Sequence, residues 1–245
     1  MSALVVRGLE KSFGGLRVTR SIDLSVAPGE RRLIIGPNGA GKTTLFNLIT
    51  GEIRADKGSI QLFGQELLKL PSRRRAHLGL SRTYQIITLF PRDTLLRNVM
   101  LSLLGLDKLR WNPLVRFDAQ RHLNDKAHAA LEQVGLAHLA SRPLSETSYG
   151  ERRRVEIAMA LAQSPKLLML DEPYAGLSMD ERRDVQKLLA AIPRDVTIVM
   201  IEHDMDVALE FAERISVMHF GEIVVEGTRG EVVSHPRTRE IYLGE

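Results

Sequence analysis

Residues Gly36-Pro37-Asn38-Gly39-Ala40-Gly41-Lys42-Thr43-Thr44 carry the spacing G-x-x-x-x-G-K-[ST] in full. That pattern holds phosphates. Glycine lets backbone N–H groups turn toward phosphate oxygens with no Cβ in the way. A helix beginning at the lysine adds the positive end of its dipole. Lys42 brings a point charge to the β- and γ-phosphates, and the Thr43 hydroxyl is a ligand for Mg²⁺. A second group of chemical residues ends the apolar run Leu167-Leu168-Met169-Leu170-Asp171-Glu172. Asp171 sits where such a strand holds a metal, and Glu172 where it polarises an attacking water. Alone, an Asp-Glu pair before Pro173 also starts a turn. Beside a complete phosphate loop, it points to chemistry on a bound triphosphate.

These groups need rigid elements behind them. Leu33–Ile35 is a short apolar run, a buried strand that feeds the loop. Leu45–Ile49 has helical character and stops at Gly51. Leu4–Val6, Ser21–Val26 and Ser59–Phe63 read as strands, with a turn at Pro28-Gly29. From 93 to 162 the pattern turns helical, with candidate helices Leu95–Leu104, Ala119–Val134 and Gly150–Gln163. Trp111-Asn112-Pro113 reads as a loop between the first two. Strand patterns return at Lys166–Leu170 and Val196–Ile201, with a helix Met179–Ala191 between them. Asp204–Ala212 reads as helix, and Ile215–Met218 with Glu222–Val225 as a hairpin. The expected fold class is α/β. It has a mostly parallel core sheet, an N-terminal antiparallel β part and a helical insertion at 93–162 within one domain, 1–245. The site belongs at the C-terminal ends of the strands.

The bulk numbers agree with a folded domain. In 245 residues, 44% are apolar and 26% charged, as in ordinary globular proteins. A net charge of +4 is mild. It suits either a plain solvated surface or attraction to nucleotide or an anionic membrane face. No cysteine is present, which excludes a disulfide framework and Cys-ligated zinc. Met1–Lys11 has no apolar run long enough for a signal peptide, and no stretch approaches a membrane-spanning length. Arg73-Arg74-Arg75 and Arg152-Arg153-Arg154 read as solvated helix faces. They lack the interleaved aromatics of a single-strand stacking platform, so no nucleic-acid partner is expected.

Together with these motifs, Ser148-Tyr149-Gly150-Glu151 resembles the signature of the ATP-binding subunits of ABC transporters, and the resemblance covers nearly the whole chain. Thr147, Tyr149 and Glu151 depart from the usual Leu-Ser-Gly-Gly-Gln. The Ser and second Gly remain, and a helix N-terminus there is a second anion site. Ser148 and Glu151 also read as a plain capping box, and both readings stand together. The resemblance implies that Gln85 touches the metal and senses a membrane partner. It implies that His203 contacts the γ-phosphate, although a lone histidine after a strand is by default structural. It places Phe13 on adenine with Val18 beside it, where Phe13 could also be core. Ser178 stands where the family has aspartate.

The expected ligands are therefore ATP and Mg²⁺. The nucleotide is held by Phe13, Val18, Gly36, Pro37, Asn38, Gly39, Ala40, Gly41, Lys42, Thr43, Thr44, Gln85, Ser148, Gly150 and Glu151. Thr43, Gln85 and Asp171 hold the metal, and Glu172, His203 and Lys42 are catalytic. The implied partners are a second ATPase subunit (in a homo- or heterodimer), transmembrane permease subunits and, indirectly, a substrate-binding protein. The implied location is peripheral, on the cytoplasmic face of the inner membrane. Ser12-Phe13-Gly14-Gly15, Ser81-Arg82-Thr83-Tyr84-Gln85 and Tyr174-Ala175-Gly176-Leu177 resemble the importers of branched-chain and other hydrophobic amino acids. Urea and aromatic-acid importers share much of this. The lipopolysaccharide-export ATPase shares Gly150–Ala158 and Tyr242–Glu245. A soluble ABC ATPase and a phosphate-loop kinase are the rival classes. The first usually carries two cassettes or a coiled coil, and the second does not account for Ser148–Glu151 or His203.

Overall fold

The computed structural model describes residues 2–84, 89–112, 116, 119–203 and 209–243. Among them, ten strands form two sheets. The central sheet has the order β10-β9-β3-β8-β7-β6. Its members are β3 (Arg31–Ile35), β6 (Leu80–Arg82), β7 (Leu167–Asp171), β8 (Thr197–Ile201), β9 (Arg214–His219) and β10 (Glu222–Gly227). Pairing is parallel from β9 through β3, β8 and β7 to β6, and antiparallel only between β9 and β10. Every residue of β3, β7 and β8 is buried. A parallel sheet covered on both faces needs apolar residues on both, so these strands carry the apolar runs Leu33–Ile35, Leu167–Leu170 and Ile198–Ile201, with the buried Arg31 and Arg32 opening β3.

A smaller antiparallel sheet has the order β2-β1-β4-β5, from β1 (Leu4–Phe13), β2 (Leu16–Val26), β4 (Lys57–Leu62) and β5 (Gln65–Glu66). One core lies between the two sheets, around α1 (Lys42–Thr50) and residues such as Leu9, Ile34, Phe46 and Met169. A second core joins the other sheet face to α3 (Leu95–Leu104), α4 (Arg121–Gln133), α5 (Tyr149–Ala162) and α6 (Met179–Ala191). Among the described residues, no helix is long and apolar enough to cross a membrane.

The strands β1 and β2 run well beyond the expected Leu4–Val6 and Ser21–Val26. Their register shifts after Val6 and again after Leu9 and Lys11, and each shift breaks the period-two alternation. Three short elements were not expected: β5, α2 (Ser72–His77) and β6. Two more follow β10, at Arg229–Ser234 and Pro236–Leu243. A single 3₁₀ turn, Lys108–Trp111, stands where a loop was expected at Trp111-Asn112. Pro113, residues 204–208 of the expected Asp204–Ala212 helix, and Gly244-Glu245 lie outside the described residues.

The two arginine runs are corrected in part. Arg75 and Arg153 are 3% and 0% exposed, so neither run is a wholly solvated face. The Arg75 guanidinium donates to the carbonyls of Leu48 (2.7 Å), Ile49 (2.8 Å) and Leu70 (2.9 Å). It thereby satisfies the last carbonyls of α1, where a cation also suits the helix dipole. At that end Gly51 adopts φ 80°, and its N–H donates to Asn47 O at 3.1 Å. This is the left-handed cap that glycine accepts without cost.

Candidate functional site

The phosphate loop links β3 to α1, at the C-terminal edge of the central sheet. Two of its glycines are sterically required. A Cβ on Gly36 (φ 154°) would lie 2.1 Å from Met218 O, and one on Gly41 (φ 99°) 2.7 Å from Val18 O. At these two positions the loop is wedged between β9 and β2 with no room for a side chain, whereas Asn38 and Gly39 between them are exposed. Val18, Asn38, Gly39, Ala40, Gly41, Lys42, Thr43, Thr44 and Glu172 line one cleft. Lys42 is buried, and its Nζ donates to Gly36 O (2.7 Å) and Pro37 O (3.1 Å). Burial lowers its pKa, against the opposing pull of Glu172 and Asp171. All three charges therefore meet at one place.

Asp171 closes β7 and is 1% exposed. Its Oδ2 receives Arg82 Nη2 at 2.7 Å, while the buried Oδ1 has no hydrogen-bond partner among the described residues. Burial raises its pKa, and the Arg82 hydrogen bond and charge oppose that. A buried carboxylate oxygen without a donor is costly unless something binds it. The next residue, Glu172, has φ 47°, a left-handed conformation rare for such a side chain. Its N–H donates to Ile201 O at 3.0 Å, which ties the turn to the end of β8. His203 Nδ1 lies 3.8 Å from Glu172 Oε2 and equally 3.8 Å from Glu202 Oε2. That is contact range, longer than a hydrogen bond. Glu202 is fully buried and accepts the N–H groups of Tyr174 (2.9 Å) and His203 (3.1 Å). It holds the segments after β7 and β8 together. Nothing in its sequence position singled it out except its place beside His203.

Ser148 caps α5. Its Oγ accepts from Glu151 N (3.1 Å), and its own N–H donates to Glu151 Oε2 (2.7 Å). The capping-box reading therefore holds. The helix end also carries an anion already. Glu181 Oε1 accepts from Gly150 N–H (3.1 Å) and lies 3.4 Å from Ser148 Oγ. Those donors hold the Glu181 carboxyl below its usual range, after the larger contribution of the Ser178 N–H and hydroxyl. Glu181 is itself the capping-box partner of Ser178 at the start of α6. Phe13 is 49% exposed at the tip of the β1–β2 turn, so it is not core, and Lys11 Nζ sits 5.3 Å above its ring. Gln85 lies outside the described residues.

Arg82 is the largest omission from the sequence reading. Besides Asp171, it reaches Asn47 Oδ1 (2.5 Å) and Glu52 Oε1 (3.2 Å), between the rings of Phe46 and Tyr84. It ends β6, which is parallel to and paired with the strand that carries Asp171, and since β6 itself was not legible in the sequence, no local signal marked this arginine.

A phosphate loop at the end of β3, with an acidic pair at the end of β7, parallel to it and one strand away across β8, defines a nucleotide-binding α/β domain. Residues 19–175 match the family model described as ABC transporter. The high-affinity branched-chain amino acid transport ATP-binding protein LivG of Escherichia coli K12 is 38% identical over 250 residues, covering 99% of this chain and 98% of that protein. BraF of Pseudomonas aeruginosa, of the same description, is 36% identical over 253 residues, covering 99% and 98%. A solved nucleotide-free ATP-binding cassette from an ABC transporter superposes with a TM-score of 0.90 at 31% identity, over 100% of both chains. An ATP-binding cassette in its ADP conformation gives 0.89 at 32% identity, again over 100% of both. The chain belongs to the ABC transporter family, as one of its ATP-binding and ATP-hydrolysing cassettes.

Proposed function

We propose that the chain powers import of branched-chain or chemically related amino acids through partner membrane subunits. The observation that carries this reading is the end-to-end similarity to LivG and BraF, both described as branched-chain amino acid transport ATP-binding proteins. The chain acts at the cytoplasmic face of the membrane as a peripheral subunit. It pairs with a second cassette and with permease subunits, and works indirectly for a substrate-binding protein. The helical stretch 93–162 is the part that pulls on the permease.

Within the site, Phe13 and Val18 receive the adenine. The N–H groups of Gly36–Thr44 and the Lys42 ammonium hold the phosphates, Lys42 exchanging its present carbonyl acceptors for phosphate oxygens. Mg²⁺ fits the donor set: the unsatisfied Asp171 Oδ1 and the Thr43 hydroxyl are hard oxygen donors, with Gln85 as a third. When bound, the metal supplies positive charge to the phosphate oxygens. Glu172 takes the proton of the attacking water, and His203, in contact with Glu172, orients toward the γ-phosphate. Ser148, Gly150 and Glu151 complete the site of a head-to-tail partner. The Ser148 hydroxyl and the Gly150 N–H already bind the Glu181 carboxylate, which supports an anion role for that helix end.

The membrane reading is tested by isolation from native membranes. Permease subunits should accompany the chain, and uptake of labelled leucine or valine should fall when its gene is deleted. Unchanged uptake of every branched-chain amino acid would remove that substrate class. The pairing reading is tested with Ser148→Ala. That variant should bind nucleotide as a monomer with near-normal affinity, yet form the ATP-bound dimer about ten- to a hundredfold less well, because one charge-assisted hydrogen bond contributes about 1.5–3 kcal/mol. Equal loss of both in equilibrium sedimentation would leave Ser148 only a structural cap.

A further inference from the structure

We propose that Arg82 is the positioning residue of the metal site: it holds Asp171 Oδ2 and so leaves Oδ1 as the carboxylate oxygen that would hold a metal. The inference rests on the reading of Asp171 as a metal-holding residue and adds what aims it.

The geometry is a clamp. Arg82 is 5% exposed, and its Nη2 takes Asp171 Oδ2 at 2.7 Å. The opposite arm of the guanidinium is fixed: Nη1 donates to Asn47 Oδ1 (2.5 Å) on α1 and to Glu52 Oε1 (3.2 Å) just past that helix. Its faces are covered by Phe46 (5.5 Å to the centroid) and Tyr84 (4.9 Å). Glu52 is held in turn by the Tyr84 hydroxyl (3.1 Å) and the Thr50 hydroxyl (3.0 Å). A planar fork held at both terminal nitrogens and packed against two rings is restrained in orientation, and it restrains Asp171 in turn. Lysine has a single donor head and cannot bridge Asp171 and Asn47 in this way. With Oδ2 occupied, Oδ1 is the carboxylate oxygen left for a ligand.

The guanidinium charge repels a cation, so two effects oppose each other. If orientation is the larger, removing Arg82 weakens metal binding. If repulsion is the larger, removing it tightens metal binding. Loss of residues that orient metal ligands typically weakens affinity about tenfold to a hundredfold, which sets the expected direction.

The test is Mn²⁺ binding by electron paramagnetic resonance, with the full chain saturated by a non-hydrolysable ATP analogue. Arg82→Gln should weaken Mn²⁺ binding about tenfold or more. Binding of the analogue in excess chelator should stay close to wild type, which a general loss of structure would not allow. Arg82→Lys should fall between the two, and it carries the test if the glutamine variant does not fold. Mn²⁺ binding that is unchanged or tighter in a folded variant would overturn the proposal. Asp171→Asn separates the two levels. If it loses Mn²⁺ affinity while the Arg82 variants keep theirs, the clamp fails and the metal site stands. If it too keeps its affinity, the reading of Asp171 itself fails.

Discussion

Glu172→Gln should keep nucleotide binding and lose nearly all turnover. The side chain lines the phosphate cleft beside Lys42 and is 16% exposed. Its backbone at φ 47° lies outside the extended geometry of the strand that delivers it. That turn brings it into the cleft while Asp171 stays behind in the sheet, so two adjacent carboxylates take different tasks. Glutamine matches glutamate in shape and in hydrogen-bonding length, but it does not accept a proton from water. A positioned general base contributes about a hundredfold to ten-thousandfold in rate, and most of that should vanish. Nucleotide affinity should hold, because Gly36–Thr44 and Lys42 are untouched. Phosphate release and equilibrium binding of a labelled nucleotide, measured on the same preparation, check both halves. Near-normal hydrolysis would remove Glu172 from the mechanism.

Breaking the buried pair in α5 should cost more stability from one side than from the other. Arg153 and Glu156 are 0% and 8% exposed and meet at 2.8 Å. Arg153 also donates to Tyr84 O at 2.9 Å, tying the helix that starts at Ser148 to the strand exit that leads to residue 85. Arginine cannot shed its charge. Glutamate can, and burial, partly offset by Arg153, pushes the Glu156 carboxyl up from 4.5 to about 7. Glu156→Leu therefore takes this carboxylate from a buried guanidinium that still bonds Tyr84 O, at about 3–5 kcal/mol. Arg153→Met should cost less, because Glu156 then simply takes up a proton. The double variant should recover much of the larger loss.

The sign of the pH effect follows from the same shift. The folded Glu156 holds its proton to higher pH than the unfolded one, so its contribution to stability declines as pH rises from 4.5 toward about 7. The decline is bounded at about 3 kcal/mol. Glu156→Gln should remove that slope, and its advantage over wild type should grow across this window and then level off. Denaturant midpoints from pH 5 to 8 read it. A Glu156→Leu variant as stable as wild type would contradict the buried-charge account.

What the sequence disclosed, and what it hid, follows from the range of each interaction. The loop Gly36–Thr44 was legible because its chemistry fixes residue types at fixed local spacing. Strands β3, β7 and β8 were legible because burial on both faces leaves apolar runs at Leu33–Ile35, Leu167–Leu170 and Ile198–Ile201, although the buried Arg31 and Arg32 at the start of β3 gave no such signal. The full lengths of β1 and β2 were hidden by register shifts, which scramble alternation. Arg75 and Arg153 were misplaced on solvent because charge spacing along a helix says nothing about distant carbonyls. Their partners, such as Leu48 O and Tyr84 O, are known only once the chain is folded. The same holds for Arg82 and Asp171, which meet across two strands. Glu181 was invisible for a different reason: its link to Gly150 N–H joins the starts of two helices that are far apart in sequence.

The account's central claim is that the loop is half of an ATPase site, completed by another subunit. The most direct measurement is phosphate release per chain as the concentration of the purified wild-type chain is raised at saturating MgATP. The account predicts specific activity that climbs with concentration as pairs form, and that disappears in Glu172→Gln. Specific activity that is constant from the lowest concentration upward, carried by a species of single-chain mass, would contradict it.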